Sequence, residues 1–269
     1  HILASHKNFG VKTFQAEDEI AAIMSVIGAS FSGLLGVTAT SGPGIALKSE
    51  AMGLAVSTEL PLVIVNVQRG GPSTGMPTKT EQADLLQALF GRNGEAPIPV
   101  IAASTPADCF YVAFEACRIA LEHMTPIILL SDAYIANGSE PWLIPNMDNL
   151  SEIKNHIVKN GNGFLPFKRN KKQLARNWVL PGTPEMEHRV GGLAKDEHTG
   201  NVSYDPHNHQ KMTDLRHQRV DIIADSIPKV KPYGSKSGDI LVLGWGSTFG
   251  SIRSAVNEAI KDGQSVAHV

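Results

Sequence analysis

The chain has 269 residues, with 24 Lys and Arg against 26 Asp and Glu and a formal net charge of -2. That balance, with no long run of one sign, argues against a nucleic-acid partner or an acidic membrane surface. Hydrophobic residues make up 42%, enough for a packed core. No apolar run reaches the roughly 18 residues that span a bilayer. No signal peptide is visible, so a soluble cytoplasmic protein is expected.

The chain opens without Met. Residues 1–9 read as a helix stopped by Gly10, a good C-cap. Val11–Phe14 reads as a strand. Further strands are predicted at Val37–Ala39, Leu62–Val67, Pro99–Ala102 and Ile127–Leu130. Helices are predicted at Glu17–Ser30, Gly44–Ser57, Gln82–Phe90 and Pro106–His123. Short strands rich in Val and Ile and apolar on both faces, separated by helices, imply a parallel sheet covered on both sides. The fold class is therefore α/β, with 1–145 as a first domain.

Residues 146–236 lose this rhythm. Pro, Gly, Asn, His and charge replace clean periodicity, and Asn160-Gly161-Asn162-Gly163 is a turn signal. The segment reads as an irregular excursion ending in a helix over Asn208–Ala224. A strand at Asp239–Leu243, a Gly244-Trp-Gly-Ser-Thr turn, a helix at Ser251–Lys261 and a strand at Ser265–Val269 then open a second α/β domain, 237–269. The abrupt ends read as a piece of a longer polypeptide.

Cys109 and Cys117, eight apart on one predicted helix, offer no zinc framework and no cluster site; they read as buried thiols. His207 and His209 read as solvated residues of a loop. Lys168-Arg-Asn-Lys-Lys172 reads as a solvated basic loop, and Gly244–Ser247 as a packing turn, since the third Gly of a dinucleotide fingerprint is missing. Asp132, after a strand, reads as a residue that orders the next turn.

Three stretches point to chemistry. Glu17-Asp-Glu19 stands at a helix start, where the dipole favours negative charge. Helix capping explains that placement; the functional alternative is a carboxyl group sharing a proton with a heterocycle. Thr38-Ala-Thr-Ser-Gly-Pro-Gly44 joins a strand to a helix, a backbone N–H cradle of a common kind. Gln68-Arg-Gly-Gly-Pro-Ser-Thr-Gly-Met-Pro-Thr-Lys-Thr-Glu-Gln82 follows a strand, and so lies at the carboxyl edge where open α/β sheets bind ligands. Arg69 can grip a carboxylate with two parallel hydrogen bonds.

Together these stretches resemble the pyrimidine-binding domain of thiamine-diphosphate enzymes. Glu19 stands nine residues before Gly28-Ala29, and Thr-Ser-Gly-Pro-Gly spans 40–44, as in many members. The Arg69 loop narrows the likeness to the alpha subunit of 2-oxoacid:ferredoxin oxidoreductases of the 2-oxoglutarate type. Ser131-Asp-Ala-Tyr134, the Glu187–Asp205 region and the Gly244–Ser247 turn fit the same family.

The resemblance implies that Glu19 hydrogen-bonds the aminopyrimidine ring nitrogen, with Ser41 and Gly42 as further cofactor contacts. It implies that Arg69 pairs with the substrate carboxylate, with Ser73 and Thr74 beside it. The reaction implied is oxidative decarboxylation of 2-oxoglutarate or a related 2-oxoacid to an acyl-coenzyme A and carbon dioxide, with ferredoxin reduced. The family's Gly-Asp-Gly signature for Mg2+ and diphosphate is replaced by Gly238-Asp239-Ile240. Mg2+ and a 4Fe-4S cluster would therefore come from a beta subunit, in a dimer of heterodimers. The family's Tyr-Pro-Ile-Thr-Pro segment, upstream of the first helix, is not in the sequence. Two rivals remain: another thiamine-dependent decarboxylase or synthase, and a scaffold subunit that keeps the fold without catalysis.

Overall fold

A computed structural model describes residues 2–269. A short helix α1 (Ile2–Ser5) and a 3-10 turn (Lys7–Phe9) end at Gly10, whose φ of 75° lies in the left-handed region that favours a residue without Cβ. The helix expected over 1–9 is thus split, and its first residue lies outside the described residues. Val11–Phe14 is not a strand. These residues pair with no strand, and Phe14 stays exposed. They lie instead along a cleft shared with Leu34, Leu35 and Val37.

The regular fold begins at α2 (Glu19–Phe31) and β1 (Gly36–Thr40). The single helix expected from Gly44 to Ser57 is two, α3 (Gly42–Leu47) and α4 (Ser49–Thr58), joined at Lys48. Next come β2 (Leu62–Gln68), α5 (Leu85–Phe90), β3 (Val100–Ala102), α6 (Asp108–His123), β4 (Pro126–Asp132) and α7 (Ala133–Asn137).

The four strands form one parallel sheet in the order β1-β2-β4-β3. Side chains alternate along the two central strands. Leu62, Ile64, Ile128 and Leu130 face a core shared with Ile23 of α2 and Met52 of α4. Val63, Ile127 and Leu129 face the opposite core, with Ile119 of α6 and Ile223. Helices cover both faces, so the α/β class expected from the apolar strands is the one observed.

The excursion after α7 has little regular structure before the helix α8 (Pro206–Ser226). It is nevertheless well packed. Trp178 is buried, and its Nε1 donates to the carbonyl of Ser30 at 3.0 Å. His207 and His209 lie in the first turns of α8 rather than on a loop. The basic stretch 168–172 also departs from expectation: Lys168, Lys171 and Lys172 are exposed, but the Arg169 side chain is buried against Glu59. A second sheet, ordered β5-β7-β6, is built from β5 (Tyr233–Gly234), β6 (Ile240–Val242) and β7 (Val266–His268), with α9 (Phe249–Lys261) packed on it. β5 was not foreseen; it pairs antiparallel with β7.

Candidate active site

The carboxyl ends of β1, β2 and β4 open on one edge of the large sheet. Asp18 caps α2 there, its Oδ1 accepting from the Ala21 N–H at 2.7 Å. This leaves Glu19 as the first helical residue, half-buried against the turn that follows β1. That turn needs glycine: a methyl group on Gly44 would overlap Thr40 Oγ1 and stand 2.8 Å from Glu19 Cγ. Ser41 occupies the N-cap of α3 but its side chain makes no capping bond.

Lys48, unnoticed in the sequence, closes this corner from below. It is fully buried, and its Nζ donates to the main-chain carbonyl of Glu19 at 2.8 Å. Burial pushes the ammonium's pKa down, while the charges of Glu19 and Asp18 push it back up. The break between α3 and α4 falls at Lys48 itself.

After β2 the chain runs into the Arg69 loop, which folds back on itself. The Met76 N–H donates to the Gly70 carbonyl, and the Gly70 N–H to the Lys79 carbonyl, both at 2.9 Å. Glu81 Oε2 accepts from the Gly71 N–H at 2.8 Å. Ser73 is held at a φ of 55°, a costly conformation for a residue with a side chain. Arg69 is half-buried, and its Nε is buried with no protein partner. It lines an open cleft of about 450 Å³ with Gly42, Pro43, Ser73, Glu81 and Asp84. Thr74 does not line that cleft.

The base of the cleft is a ladder of polar side chains that were not singled out in the sequence. Asn66 Nδ2 donates to Asp84 Oδ2 at 3.0 Å. The Asp84 N–H donates to Gln68 Oε1, and Gln68 Nε2 to the Ser131 carbonyl, both at 3.1 Å. The readable signal was two amides, Asn66 and Gln68, at alternate positions of an otherwise apolar strand. Asp84 in turn presses on Gly42, where a methyl group would come within 2.9 Å of its Oδ2.

Gly42-Pro43-Gly44 therefore separates two groups: the Glu19 side chain lies against its far end, and the Arg69 cleft opens on its near end. Asp132 serves the neighbouring turn, its Oδ1 accepting from the Tyr134 and Ile135 N–H groups at 2.8 and 3.2 Å. Gly28 is exposed and touches nothing of the site. The Gly244–Ser247 turn packs on the loop's end, where Gln82 Nε2 donates to the Trp245 carbonyl at 3.1 Å. Among the described residues no group of three or more His, Cys, Asp or Glu is placed to hold a metal ion.

Residues 1–205 match the family model described as pyruvate flavodoxin/ferredoxin oxidoreductase, thiamine-diphosphate-binding. The chain belongs to this family. Within the oxidoreductase family it is 55% identical, over its whole length, to the 2-oxoglutarate oxidoreductase subunit KorA of Mycobacterium tuberculosis, of which it covers 41%. It is 34% identical to the 2-oxoglutarate synthase subunit KorA of Methanothermobacter marburgensis, over 95% of this chain and 67% of that protein. A solved 2-oxoglutarate:ferredoxin oxidoreductase from Magnetococcus marinus, with 2-oxoglutarate, coenzyme A and succinyl-CoA bound, superposes with a TM-score of 0.93 at 34% identity. That superposition covers 99% of this chain and 46% of the other. The chain thus spans about two fifths of the M. tuberculosis relative.

Proposed function

We propose that the chain supplies the aminopyrimidine-binding part of a thiamine-diphosphate-dependent 2-oxoacid:ferredoxin oxidoreductase, as its alpha subunit, with 2-oxoglutarate as the substrate. Family membership and the relatives' names support this reading. The observation that carries it is the shared turn: Glu19 and Arg69 flank Gly42–Gly44 at the carboxyl edge of the sheet.

The residues present fit the cofactor. The half-buried Glu19 carboxyl lies against the glycine turn at the carboxyl edge of the sheet, and on the other side of that turn Arg69 Nε is a buried donor without a partner. When bound, thiamine diphosphate supplies the nucleophilic carbon and the electron sink for decarboxylation. Glu19 holds the aminopyrimidine by a hydrogen bond to its ring nitrogen and shares a proton there. Ser41 and Gly42 contribute the turn beside it. Arg69 orients the 2-oxoacid by a charge-assisted, two-pronged contact to its carboxylate, with Ser73, and more distantly Thr74, on the same loop.

A beta subunit would hold Mg2+, the diphosphate end of the cofactor and a 4Fe-4S cluster, in a dimer of heterodimers working with ferredoxin and coenzyme A in the cytoplasm. Residues 237–269 would open the next domain, after the 146–236 excursion.

Glu19→Gln in the reconstituted complex tests the assignment. Ferredoxin reduction driven by 2-oxoglutarate is expected to fall by about 100-fold or more, the usual range for losing an acid–base group. Reduction at the parent rate, with the subunits still assembled, removes Glu19 from the chemistry.

A further inference from the structure

At the other end of β2, one carboxylate is buried among cations. Glu59 follows α4, is 1% exposed, and pairs with both Arg169 and Arg219. Arg176, equally buried, reaches only the carbonyls of Thr58, Glu59 and Asn177. Lys195, 4% exposed, donates to Ser57 O at 2.9 Å and Ser57 Oγ at 3.2 Å. Arg216 reaches Thr213 Oγ1 at 3.3 Å, and its Nε is buried with no partner. Arg169, Arg176 and Lys195 also stand 5.9, 5.2 and 5.5 Å from the ring centre of buried Phe167.

Five cationic side chains thus gather around one carboxylate. The nearby acids do not restore the balance. Glu197 pairs with Lys211; Glu50 and Glu95 are exposed, and Glu95 offsets part of the charge of Arg216 from the solvent side. Burial pushes Lys195 down to about 8; Glu59 opposes the shift, and Arg216, Arg169 and Arg176 add to it. Burial likewise lowers Arg176 to about 10. Positive charge held out of water without a counter-charge is costly, and what the cluster lacks is an anion.

A cleft of about 260 Å³ opens beside it, between α4 and α8, with Lys195, Arg216, Ser57 and His209 in its wall together with the exposed carboxylates of Glu50 and Glu95. We propose that this cleft binds a small oxyanion of the phosphate class, free or as the phosphoryl group of a small metabolite, on Lys195 and Arg216. A phosphoryl group carries about -1.5 to -2 near pH 7, so it offsets more of the surplus than a carboxylate would. Arg216 contributes its guanidinium, and Lys195 the ammonium hydrogen not given to Ser57. The seven residues of β2 separate this cleft from the Arg69 loop, roughly 23 Å of strand at ~3.3 Å per residue. The site is therefore independent of the chemistry proposed at the other edge.

Thermal unfolding of the chain in phosphate, against sodium chloride of equal ionic strength, tests this. A saturable rise in Tm of about 3 °C or more is expected, because ligand that binds only the folded state stabilises it by mass action. Phosphate also stabilises proteins generally by exclusion from their surface, without saturating. Arg216→Gln should keep that general rise and lose the saturable part. A glycerol phosphate arm separates free phosphate from a phosphoryl metabolite: tighter binding of the ester assigns the metabolite, weaker binding assigns the free ion. Calorimetry at pH 8 in buffers of different ionisation enthalpy should show proton uptake, since an anion beside Lys195 favours its charged form. A saturable rise that Arg216→Gln retains, or no rise beyond that in chloride, overturns the site. Binding without proton uptake removes Lys195 from it.

Discussion

The ammonium nitrogen of Lys48 and the carbonyl oxygen of Glu19 stand 2.8 Å apart, with the lysine wholly out of solvent. The bond ties the first turn of α2 to the joint between α3 and α4. The residue proposed to meet the cofactor is thus anchored through its own main chain.

Lys48→Met keeps the bulk and removes that anchor. The lost charge-assisted hydrogen bond costs about 1.5–3 kcal/mol, and relief of a desolvated charge offsets part of this. Urea midpoints should therefore move little, while the thiamine diphosphate affinity of the reconstituted complex drops about 10-fold. An unchanged affinity would make Lys48 a packing residue only.

Arg69→Ala should lower kcat/KM for the 2-oxoacid by at least ~10-fold, since a lost charge-assisted contact costs about 1.5–3 kcal/mol. Arg69→Lys should recover only part of this, because an ammonium cannot make two parallel bonds. Steady-state rates over a range of 2-oxoacid concentrations decide it; parent-like values for the alanine variant exclude Arg69 from the site.

Glu59→Gln strands Arg169 and Arg219 in the interior. A loss of about 3–5 kcal/mol at pH 7 is expected, the usual outcome of breaking a buried pair from one side. Burial alone would raise the Glu59 carboxyl, but Arg219 and Arg169 overcome it and hold it at about 2. The folded pKa lies below the unfolded one, so this stability is present above pH 4.5 and is lost as pH falls towards 2. The gap between parent and variant in denaturant unfolding should close over that window. A gap that does not vary with pH counts against the ion pairs as its source.

Lys195 has the opposite sign. Its folded pKa is pushed to about 8 from 10.5, so the charged form burdens the folded state below pH 8. The unfolded chain binds more protons between pH 8 and 10.5, and the group's contribution to stability rises with pH across that interval. Lys195→Met should be relatively more stable than the parent at pH 7 than at pH 10.5. Parallel stability curves for the two proteins over this range would refute the shift.

Local pattern carried much of the fold. Runs such as Leu62–Val65 and Ile127–Leu130 are apolar at every position, as a strand covered on both faces requires. The same locality made Glu19, the 40–44 turn and the Arg69 loop visible, each being one contiguous stretch. Where a segment's state depends on a distant partner, composition was silent or misleading. Val11–Phe14 has strand-forming residues but pairs with no strand. Lys48 and the Asn66–Asp84–Gln68 ladder read as ordinary helix, strand and loop residues until folding brings them under the site. Arg169 looked solvated because its carboxylate lies 110 residues earlier, and Arg219 meets the same group across 160. Periodicity acts between neighbours along the chain and so is written in the sequence. Burial, charge compensation and the convergence of Glu19 and Arg69 on one turn depend on distances through space, which only the folded chain sets.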